Sequence, residues 1–461
     1  MFFHSTRGKD KNKTFEEVLI QGLAEDGGLF LPDYWPEVDL NHIRKQESFL
    51  DIAKYIIPLF TKSSFAENEV EEILDNTWHD FGTKDWINIK PINRSIKILE
   101  LFHGPTAAFK DFGLQLAAAF FNKSLTKQNK TAIVFGATSG DTGSAAIDAC
   151  KRFDSIKSFI LIPDGNMSEI QRKQMTTVNQ SNVFPILADG TFDDCQDIVK
   201  QGFQERSFLR NNQNLLAVNS INWVRIMGQI CYYFYASLKI NKLSEPINFS
   251  IPTGNFGNVF SCYAAFKMGL PLSRIIVGVN ENNILDRFFK SNDYSRNTVI
   301  ETISPSMDIS VASNFERLIY DFYLEGDSNK CSEIYSSFPN IPINIDKQIW
   351  EKTNKLFLSY SVNDTDTYKC MKLFNEEYNY IIDPHTAVAV ESVMQFVESL
   401  DHETVILSTA HPAKFPETIN EAGLNISDIP KSLSSVIDKE EVAIKLRTSD
   451  DSIFEYIKQN N

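Results

Sequence analysis

Ala132-Ile-Val-Phe-Gly-Ala-Thr-Ser-Gly-Asp-Thr-Gly-Ser144 is the stretch that decides the fold class of this chain. A short apolar run ends in a loop rich in glycine and hydroxyl side chains, and a helical pattern begins at Ser144. The same order recurs in Ser250-Ile-Pro-Thr-Gly-Asn-Phe-Gly-Asn258, which leads into a helical stripe from Val259. Strands that alternate with helix-length segments indicate βαβ units and parallel sheets. The sequence therefore predicts an α/β protein whose ligands bind beyond the carboxyl ends of the strands.

The alternation extends over most of the chain. Strands are predicted at 95–101, 132–135, 158–162, 247–251, 275–279 and 404–407, with helices over 113–125 and from 144 onward. Residues 1 to about 95 differ, because their patterns at 15–24, 52–60 and 70–74 are helical. We therefore expect a mostly helical N-terminal region that precedes the α/β part of the chain.

The composition excludes several classes of protein. Of the 461 residues, 43% are hydrophobic and 23% are charged, as in a soluble globular protein. The 45 basic and 60 acidic side chains give a formal net charge of −15, which disfavours nucleic acid and anionic membrane surfaces as partners. The N-terminus lacks a signal-peptide core, and no segment approaches the roughly 18 apolar residues of a membrane helix. Six scattered cysteines form no CxxC pair, so we expect buried thiols, no metal site and a cytoplasmic location.

Lys110 is the first candidate for chemistry. It lies in Leu101-Phe-His-Gly-Pro-Thr-Ala-Ala-Phe-Lys-Asp-Phe-Gly113, between two phenylalanines and at the start of a predicted helix. Apolar surroundings lower the pKa of a lysine, as a lysine that forms a Schiff base requires. The alternative is a surface lysine whose stem covers apolar neighbours and whose charge pairs with Asp111.

Two strand-to-helix loops are candidate anion sites. In the 132–144 segment, backbone N–H groups converge on a helix N-terminus, although the P-loop ending and the GxGxxG spacing are both absent. In the 250–258 segment, Gly254 and Gly257 allow the backbone to approach an anion closely. Each loop could also be an ordinary capped turn. Two such loops in one chain indicate ligands with at least two phosphate or carboxylate groups.

A buried helix face supplies a possible third anion partner. Asn222, Arg225 and Gln229 share one face of an otherwise apolar helix in the 219–229 segment. A guanidinium on a buried helix needs a partner, either a bidentate anion or a structural carboxylate.

Three histidines lie near predicted strand or helix ends. His411 follows a strand that ends in Ser408 and Thr409, and it is either catalytic or a structural turn residue. His103 leaves the same two alternatives, whereas His385 most simply marks the start of a helix.

These segments resemble the threonine synthase family of pyridoxal-phosphate (PLP) enzymes, within the tryptophan-synthase-β-like group of fold type II. The resemblance covers nearly the whole chain. It includes Gln21-Gly-Leu-Ala-Glu-Asp-Gly-Gly-Leu-Phe-Leu-Pro32, the Phe-His-Gly-Pro-Thr-x-Ala-Phe-Lys-Asp-Phe string, Thr-Ser-Gly-Asp-Thr-Gly, Gly-Asn-Phe-Gly and Thr-Ala-His-Pro-Ala-Lys-Phe, in the family's order.

The resemblance implies a role for each matching residue. Lys110 matches the lysine that binds the cofactor covalently, and Thr409 matches the hydroxyl that faces the pyridine nitrogen. The loop for the cofactor phosphate is Gly254, Asn255, Phe256, Gly257 and Asn258; the loop for the substrate carboxylate and the cofactor ring is Thr138, Ser139, Asp141 and Thr142; the segment for the substrate phosphate is Asn219, Ser220, Asn222 and Arg225. Some relatives carry Asn where this chain has Asp141, so the contact of Asp141 near the phenolic oxygen of the cofactor is left open.

The resemblance also implies an architecture and a reaction. We expect two α/β domains with parallel or mixed sheets around a cofactor cleft, plus the N-terminal domain. The expected divisions are 1–95 for the N-terminal domain, 96–111 with 216–461 for the large domain, and 112–215 for the small domain. The implied reaction converts O-phospho-L-homoserine and water to L-threonine and phosphate, the last step of threonine biosynthesis. The alternatives are a phospho-lyase or a serine/threonine dehydratase of the same fold, or a binding protein without catalysis. The resemblance is compatible with a monomer and leaves an oligomer open.

Overall fold

The computed structural model describes residues 1–82, 86–138, 140–163, 167–217, 219–448 and 451–461, and only the backbone of residues 353 and 354. The described strands are β1 Phe3–Ser5, β2 Phe30–Pro32, β3 Asn88–Pro91, β4 Ile96–Glu100, β5 Thr131–Ala137, β6 Ile156–Pro163, β7 Val183–Asp189, β8 Gln213–Leu216, β9 Ile247–Pro252, β10 Leu272–Val279, β11 Phe357–Ser361, β12 Thr404–Ser408 and β13 Ile444–Arg447. β1 and β2 form a small antiparallel pair, and the other strands belong to two larger sheets.

The described α-helices connect and cover these strands. They are α1 Phe15–Gln21, α2 Leu40–Ile43, α3 Phe49–Thr61, α4 Glu67–Thr77, α5 Lys110–Gln128, α6 Asp141–Cys150, α7 Glu169–Thr176, α8 Phe192–Glu205, α9 Trp223–Asn241, α10 Gly257–Lys267, α11 Ile284–Ser291, α12 Phe315–Leu318, α13 Ser328–Ser337, α14 Lys347–Trp350, α15 Asp364–Tyr378, α16 Pro384–Met394, α17 Pro416–Glu421, α18 Lys431–Ile437 and α19 Ser452–Asn460. Short 3₁₀ turns lie at Pro305–Met307, Glu351–Lys355, Val397–Ser399 and Pro412–Lys414, and a π-helical turn lies at Ile319–Tyr323. Among the described helices, none is both long and apolar enough to cross a membrane.

The larger sheet has six strands in the order β11-β10-β9-β12-β4-β3. All neighbours are parallel except β3 and β4, which are antiparallel. Strands β9 and β12 are buried on both faces, as expected when helices cover a parallel sheet on both sides. Phe249 and Val405 pack into one hydrophobic cluster, and Ile98 and Ile406 pack into a second cluster on the opposite face.

The smaller sheet has five parallel strands in the order β13-β7-β6-β5-β8. The predicted α/β class with two parallel or mixed sheets is therefore confirmed. The segments after β4, β9 and β12 of the six-stranded sheet and after β5 and β8 of the five-stranded sheet carry the candidate residues. These are the carboxyl ends at which a ligand site is expected.

The predicted domain division differs from the structure at three points. Residues 444–461 were assigned to the large domain with 216–461, but β13 pairs with β7 and Ile453 and Ile457 of α19 pack in the core of the five-stranded sheet. The 215/216 boundary cuts through β8, and β3 adds an edge to the six-stranded sheet before residue 96. Strands of one sheet can come from distant parts of the chain, and the pattern along the chain does not show which strands pair. The rest of the division stays a prediction.

Helices α5 and α9 cross closely enough to place two candidate residues together. A Cβ added at Gly113 of α5 would lie 3.1 Å from Arg225 Cα, and one at Gly228 of α9 would lie 3.4 Å from the carbonyl oxygen of Phe112. Because glycine has no side chain, Gly113 and Gly228 allow the two helix backbones to approach closely. Lys110 at the start of α5 therefore lies near Arg225 at the start of α9.

Candidate active site

The candidate residues meet at a cavity of about 460 Å³ between the loops of the two large sheets. The predicted site residues that line it are Lys110, Thr138, Asp141, Thr142, Asn219, Ser220, Arg225, Gly254, Asn255, Phe256, Gly257, Asn258 and Thr409. Ser139 lies outside the described residues. The structure does not bring Asn222 to the cavity, because its side-chain oxygen caps α9 at Val224 N and its amide donates to Leu19 O at 2.9 Å.

Lys110 is a buried side chain at the start of α5. The peptide N–H of Phe109 donates to the carbonyl of Thr409 at 2.8 Å, which fixes the start of the helix beside the end of β12. The Lys110 side chain is 13% exposed, and its Nζ donates to Ser306 Oγ at 3.3 Å. Asp111 is not its partner, because that carboxylate accepts from Thr106 N and Oγ1. The alternative of a surface lysine is therefore wrong.

The surroundings of Lys110 favour its neutral amine. Burial lowers the pKa of Lys110 to about 8; the positive charges of Arg225 and Lys414 act in the same direction, and Asp141 opposes them. The amine is a nucleophile and a base only when unprotonated. A pKa of about 8 makes a usable fraction of that form available near neutral pH.

Asp141 lies at the start of α6, opposite Lys110, with its Oδ2 3.9 Å from Lys110 Nζ. Its Oδ1 accepts from Lys414 Nζ at 2.8 Å and from Gln171 Nε2 at 2.9 Å. Burial alone would raise the pKa of Asp141, but the ammonium groups of Lys414 and Lys110 hold it well below its usual range. Asp141 is therefore an anion that accepts hydrogen bonds.

The loop between β9 and α10 has the features of an anion site. A Cβ at Gly254 would lie 3.0 Å from the carbonyl oxygen of Ser306, so this close approach requires glycine. The hydroxyls of Tyr232 and Tyr233 donate to Asn258 Oδ1, the latter at 2.7 Å. Asn258 Nδ2 is buried and has no hydrogen-bond partner among the described residues. An unpaired buried donor at a helix N-terminus fits a phosphate group.

Arg225 is the second group without a partner. The residue is 4% exposed, and its Nε and Nη1 have no hydrogen-bond partner among the described residues. Burial lowers the pKa of Arg225 to about 10, so the guanidinium stays charged at neutral pH. The structural-carboxylate alternative is not supported, because no described carboxylate forms an ion pair with it. A bidentate anion in the cavity would satisfy both nitrogens.

Thr138 shapes the other glycine-rich loop. Its hydroxyl accepts from the N–H groups of Gly143 at 2.9 Å and Gly140 at 3.3 Å. A Cβ at Gly143 would lie only 2.0 Å from Thr138 Cγ2, so the turn requires glycine there. These contacts hold the start of α6, and therefore Asp141, against the cavity.

The three histidines have different surroundings. His411 does not line the cavity, and its Nδ1 accepts from Ala413 N, as a structural turn residue does. His103 contacts Glu100 at 2.8 Å, also outside the cavity lining. His385 begins α16 as predicted, and it also lines the cavity, where its Nε2 accepts from Ser306 N at 3.3 Å.

Sequence reasoning missed Lys414, Gln171, Ser306 and His385 as parts of this site. Lys414 could have been found, because it lies three residues after His411 in the Thr-Ala-His-Pro-Ala-Lys-Phe segment that carries the family resemblance. Gln171, Ser306 and His385 make contacts between segments that are far apart in the chain. The spacing of residues along the sequence does not predict such contacts.

Comparisons with known proteins agree with this geometry. A family described as pyridoxal-phosphate dependent enzyme matches residues 96–409, and families described as threonine synthase N terminus and threonine synthase, C-terminal match residues 2–78 and 386–457. The threonine synthase of Pseudomonas aeruginosa is 41% identical over 446 residues, which cover 96% of this chain and 94% of the relative.

This chain belongs to the threonine synthase family. The PLP-bound threonine synthase of Brucella melitensis superimposes with a TM-score of 0.94 at 34% identity, covering 99% of each chain. Yeast threonine synthase superimposes with a TM-score of 0.91 at 37% identity, covering 99% of this chain and 97% of that one. The predicted family, fold type, enzyme class and PLP cofactor are therefore confirmed. The buried, unpartnered Nδ2 of Asn258 and the Lys110 amine, whose pKa is lowered to about 8, fit that cofactor, which carries a phosphate and an aldehyde.

Proposed function

We propose that this member of the threonine synthase family converts O-phospho-L-homoserine and water to L-threonine and phosphate. The unpartnered guanidinium of Arg225 carries this proposal, because it offers a third anion site beside the two loops. The cofactor phosphate, the substrate phosphate and the substrate carboxylate need three such sites. A substrate without a phosphate would leave one buried cation unpaired.

We propose the following division of the cavity. The 254–258 loop and Asn258 hold the cofactor phosphate, and the hydroxyl of Thr409 faces the ring nitrogen. Thr138, Ser139 and Thr142 hold the substrate carboxylate, and Asp141 lies beside the cofactor. Asn219, Ser220 and Arg225 hold the substrate phosphate. We leave Asn222 out of this site because its side chain is already used to cap α9.

When bound, PLP links covalently to an amine and delocalises negative charge that develops on the amino acid. Lys110 would supply the amine that holds the cofactor, and the same amine, when free, would take the proton from Cα of the substrate. The low proton affinity of the buried amine suits both tasks. Arg225 orients the phosphate that leaves from Cγ, and the walls of the cavity control which water reaches Cβ. The overall reaction balances, since water supplies the hydroxyl of threonine and phosphate departs.

Product analysis tests this proposal. Incubation with O-phospho-L-homoserine should release threonine and phosphate in equal amounts, and Lys110→Ala should abolish turnover while leaving the fold intact. Release of a keto acid and ammonia would instead identify a phospho-lyase or a dehydratase. Borohydride should fix PLP to Lys110 in the wild-type chain, and its failure to do so would favour a binding protein without catalysis. A cytoplasmic location stays a prediction, which fits the six buried, unbridged cysteines.

A further inference from the structure

Lys414 is a second lysine at the candidate site, and its side chain is 0% exposed. It ends the 3₁₀ turn Pro412–Lys414 after β12. Its Nζ donates to Asp141 Oδ1 at 2.8 Å and to the carbonyl oxygen of Thr106 at 2.7 Å. Its own carbonyl oxygen accepts from Ser168 Oγ at 2.7 Å. Lys414 therefore joins the loop before α5 to the first residues of α6 and to the cap of α7.

The two carboxylate oxygens of Asp141 have different neighbours. Lys414 and Gln171 occupy Oδ1 at hydrogen-bond distances of 2.8 and 2.9 Å. Lys110 approaches only Oδ2, at 3.9 Å, which is beyond a hydrogen bond. A buried carboxylate needs a charged partner close by, since an unpaired one costs several kcal/mol. Lys414 is that charged partner of Asp141, so Asp141 does not need Lys110 as an ion-pair partner.

This division matters because Lys110 must act as a free amine. A lysine that is the sole partner of a buried carboxylate is held as ammonium, and ammonium has no lone pair for an aldehyde or for a proton at Cα. Lys414 prevents this in two ways. It satisfies Asp141, and it places a fixed positive charge near Lys110 that disfavours a second one.

We propose that Lys414 is a positioning residue that keeps Asp141 ionised and occupied, so that Lys110 remains available as a neutral amine. This inference rests on the role proposed above for Lys110. It also assigns the state of Asp141, whose contact the sequence left open. Asp141 and Lys414 act together as a neutral pair.

Several other charged groups lie around Lys110. Arg225 faces it from α9, and Lys200, Asp308 and His385 line the same cavity. Asp111, the next residue on α5, is bound by Thr106, and burial together with Asp148 raises its pKa to about 7. Lys414 lowers the pKa of Asp111, so each variant is also made with Asp111→Asn, which removes that second titration. Differences between variants in this background report the charges of Lys414 and Asp141.

The experiment measures how fast the full-length chain, freed of cofactor, captures PLP at each pH. In this reaction the Lys110 amine replaces the aldehyde oxygen, which leaves as water, and borohydride then reduces the C=N bond so that mass spectrometry can count labelled Lys110. In the wild type, capture should rise through pH about 8. In Lys414→Met, the midpoint should move upward by about one pH unit, which slows capture near neutral pH about tenfold. Lys414→Arg should retain the wild-type midpoint.

A second pair of variants covers the possibility that Lys414→Met does not fold. Asp141→Asn with Lys414→Met removes both charges and leaves no buried ion unpaired. Its midpoint should lie above that of Asp141→Asn alone, because only the latter retains the positive charge of Lys414. Lys97→Met removes another ion-paired lysine, which bonds Glu403 at the opposite end of β4, and it should leave the midpoint unchanged.

Two results would overturn the inference. The first is an equal midpoint in the wild type and in Lys414→Met. The second is an equal midpoint in Asp141→Asn and in Asp141→Asn with Lys414→Met. Either would mean that Lys414 has only a structural role. Either result could occur while the wild type still labels Lys110 and forms threonine, so the proposed function would stand. Absence of label at Lys110 in the wild type would instead contradict the proposed function.

Discussion

Arg225 is a buried cation for which the described protein offers no counter-charge. Such a group destabilises the empty protein, because desolvation is not offset by a partner. We therefore predict that Arg225→Met raises the free energy of unfolding of the substrate-free protein and raises KM for O-phospho-L-homoserine by about 10- to 100-fold, the value of one or two charge-assisted hydrogen bonds. Denaturant unfolding and steady-state kinetics measure the two effects.

Arg172→Met is the matched control for that experiment. Arg172 is a partly exposed arginine that pairs with Glu441, outside the cavity lining. Its replacement should leave KM unchanged. It should change the free energy of unfolding by no more than about a few tenths of a kcal/mol. An unchanged KM in Arg225→Met would remove this residue from the substrate site.

Asn258 illustrates a residue whose orientation is set by its neighbours. Tyr232 and Tyr233 both donate to its Oδ1, which leaves Nδ2 to face an acceptor. Tyr233→Phe should weaken PLP binding about fivefold, as expected for loss of one hydrogen bond of about 1 kcal/mol. Spectroscopic titration with PLP gives the dissociation constant. Tyr380→Phe also removes a buried hydroxyl, but that hydroxyl bonds Glu100 outside the cavity lining, so PLP affinity should not change.

Lys110 should also make stability depend on pH. Its pKa is about 8 in the folded protein, below the ordinary value of 10.5, so the folded state binds fewer protons than the unfolded state between these values. Below pH 8, burial of the charged Lys110 lowers the free energy of unfolding by its full amount. This loss becomes smaller as the pH rises from 8 toward 10.5, because the buried amine loses its proton. In cofactor-free protein, Lys110→Met should therefore be more stable than wild type at pH 7, and this advantage should shrink above pH 8. A difference that does not vary with pH would contradict a buried, titrating Lys110.

At the scale of elements, the crossing of α5 and α9 determines where Arg225 lies. A Cβ at Gly113 would meet Arg225 backbone atoms at 3.1 and 3.3 Å, whereas one at Gly228 would first meet the flexible end of Leu116. Gly113→Ala should therefore destabilise the protein by about 1–3 kcal/mol and raise KM, because overpacking displaces the two helices. Gly228→Ala on the same contact should cost less. Thermal unfolding and substrate kinetics compare the two, and equal, small effects would show that the crossing tolerates extra volume.

Six strands of the two large sheets were predicted, because buried parallel strands are short apolar runs, whereas β3, β7, β8, β11 and β13 of the same sheets were not. The predicted strands 158–162 and 404–407 correspond to Ile156–Pro163 and Thr404–Ser408. Helix starts were less predictable. The helical pattern was assigned to 113–125, whereas α5 spans Lys110–Gln128, with Lys110 at its start as predicted. Phe109 makes no side-chain cap, so the sequence carries no capping signal for the exact boundary. Contacts between distant segments, such as Lys414 with Asp141, were not predictable, since spacing along the chain does not encode them.

At the scale of the whole molecule, the C-terminal segment completes the five-stranded sheet. Ile457 of α19 is fully buried in the same cluster as Phe135 and Phe159. Ile457→Ala should lower the free energy of unfolding by about 2–5 kcal/mol, the usual cost of a cavity in a core. Denaturant unfolding measures this loss, and Lys458→Ala on the exposed side of α19 is the control. Equal stability of the two variants would mean that α19 adds nothing to the core.

The position of β13 at the edge of that sheet has a consequence for biosynthesis. Residues 131–216 supply four of the five strands, but the fifth comes from 444–447. During translation the first four strands leave the ribosome long before their last neighbour has been made, and the edge of Val183–Asp189 stays open until then. A chain whose synthesis stops before residue 444 therefore keeps this strand edge unpaired and prone to aggregation, so the solubility of partly made chains depends on a segment far downstream of the other four strands.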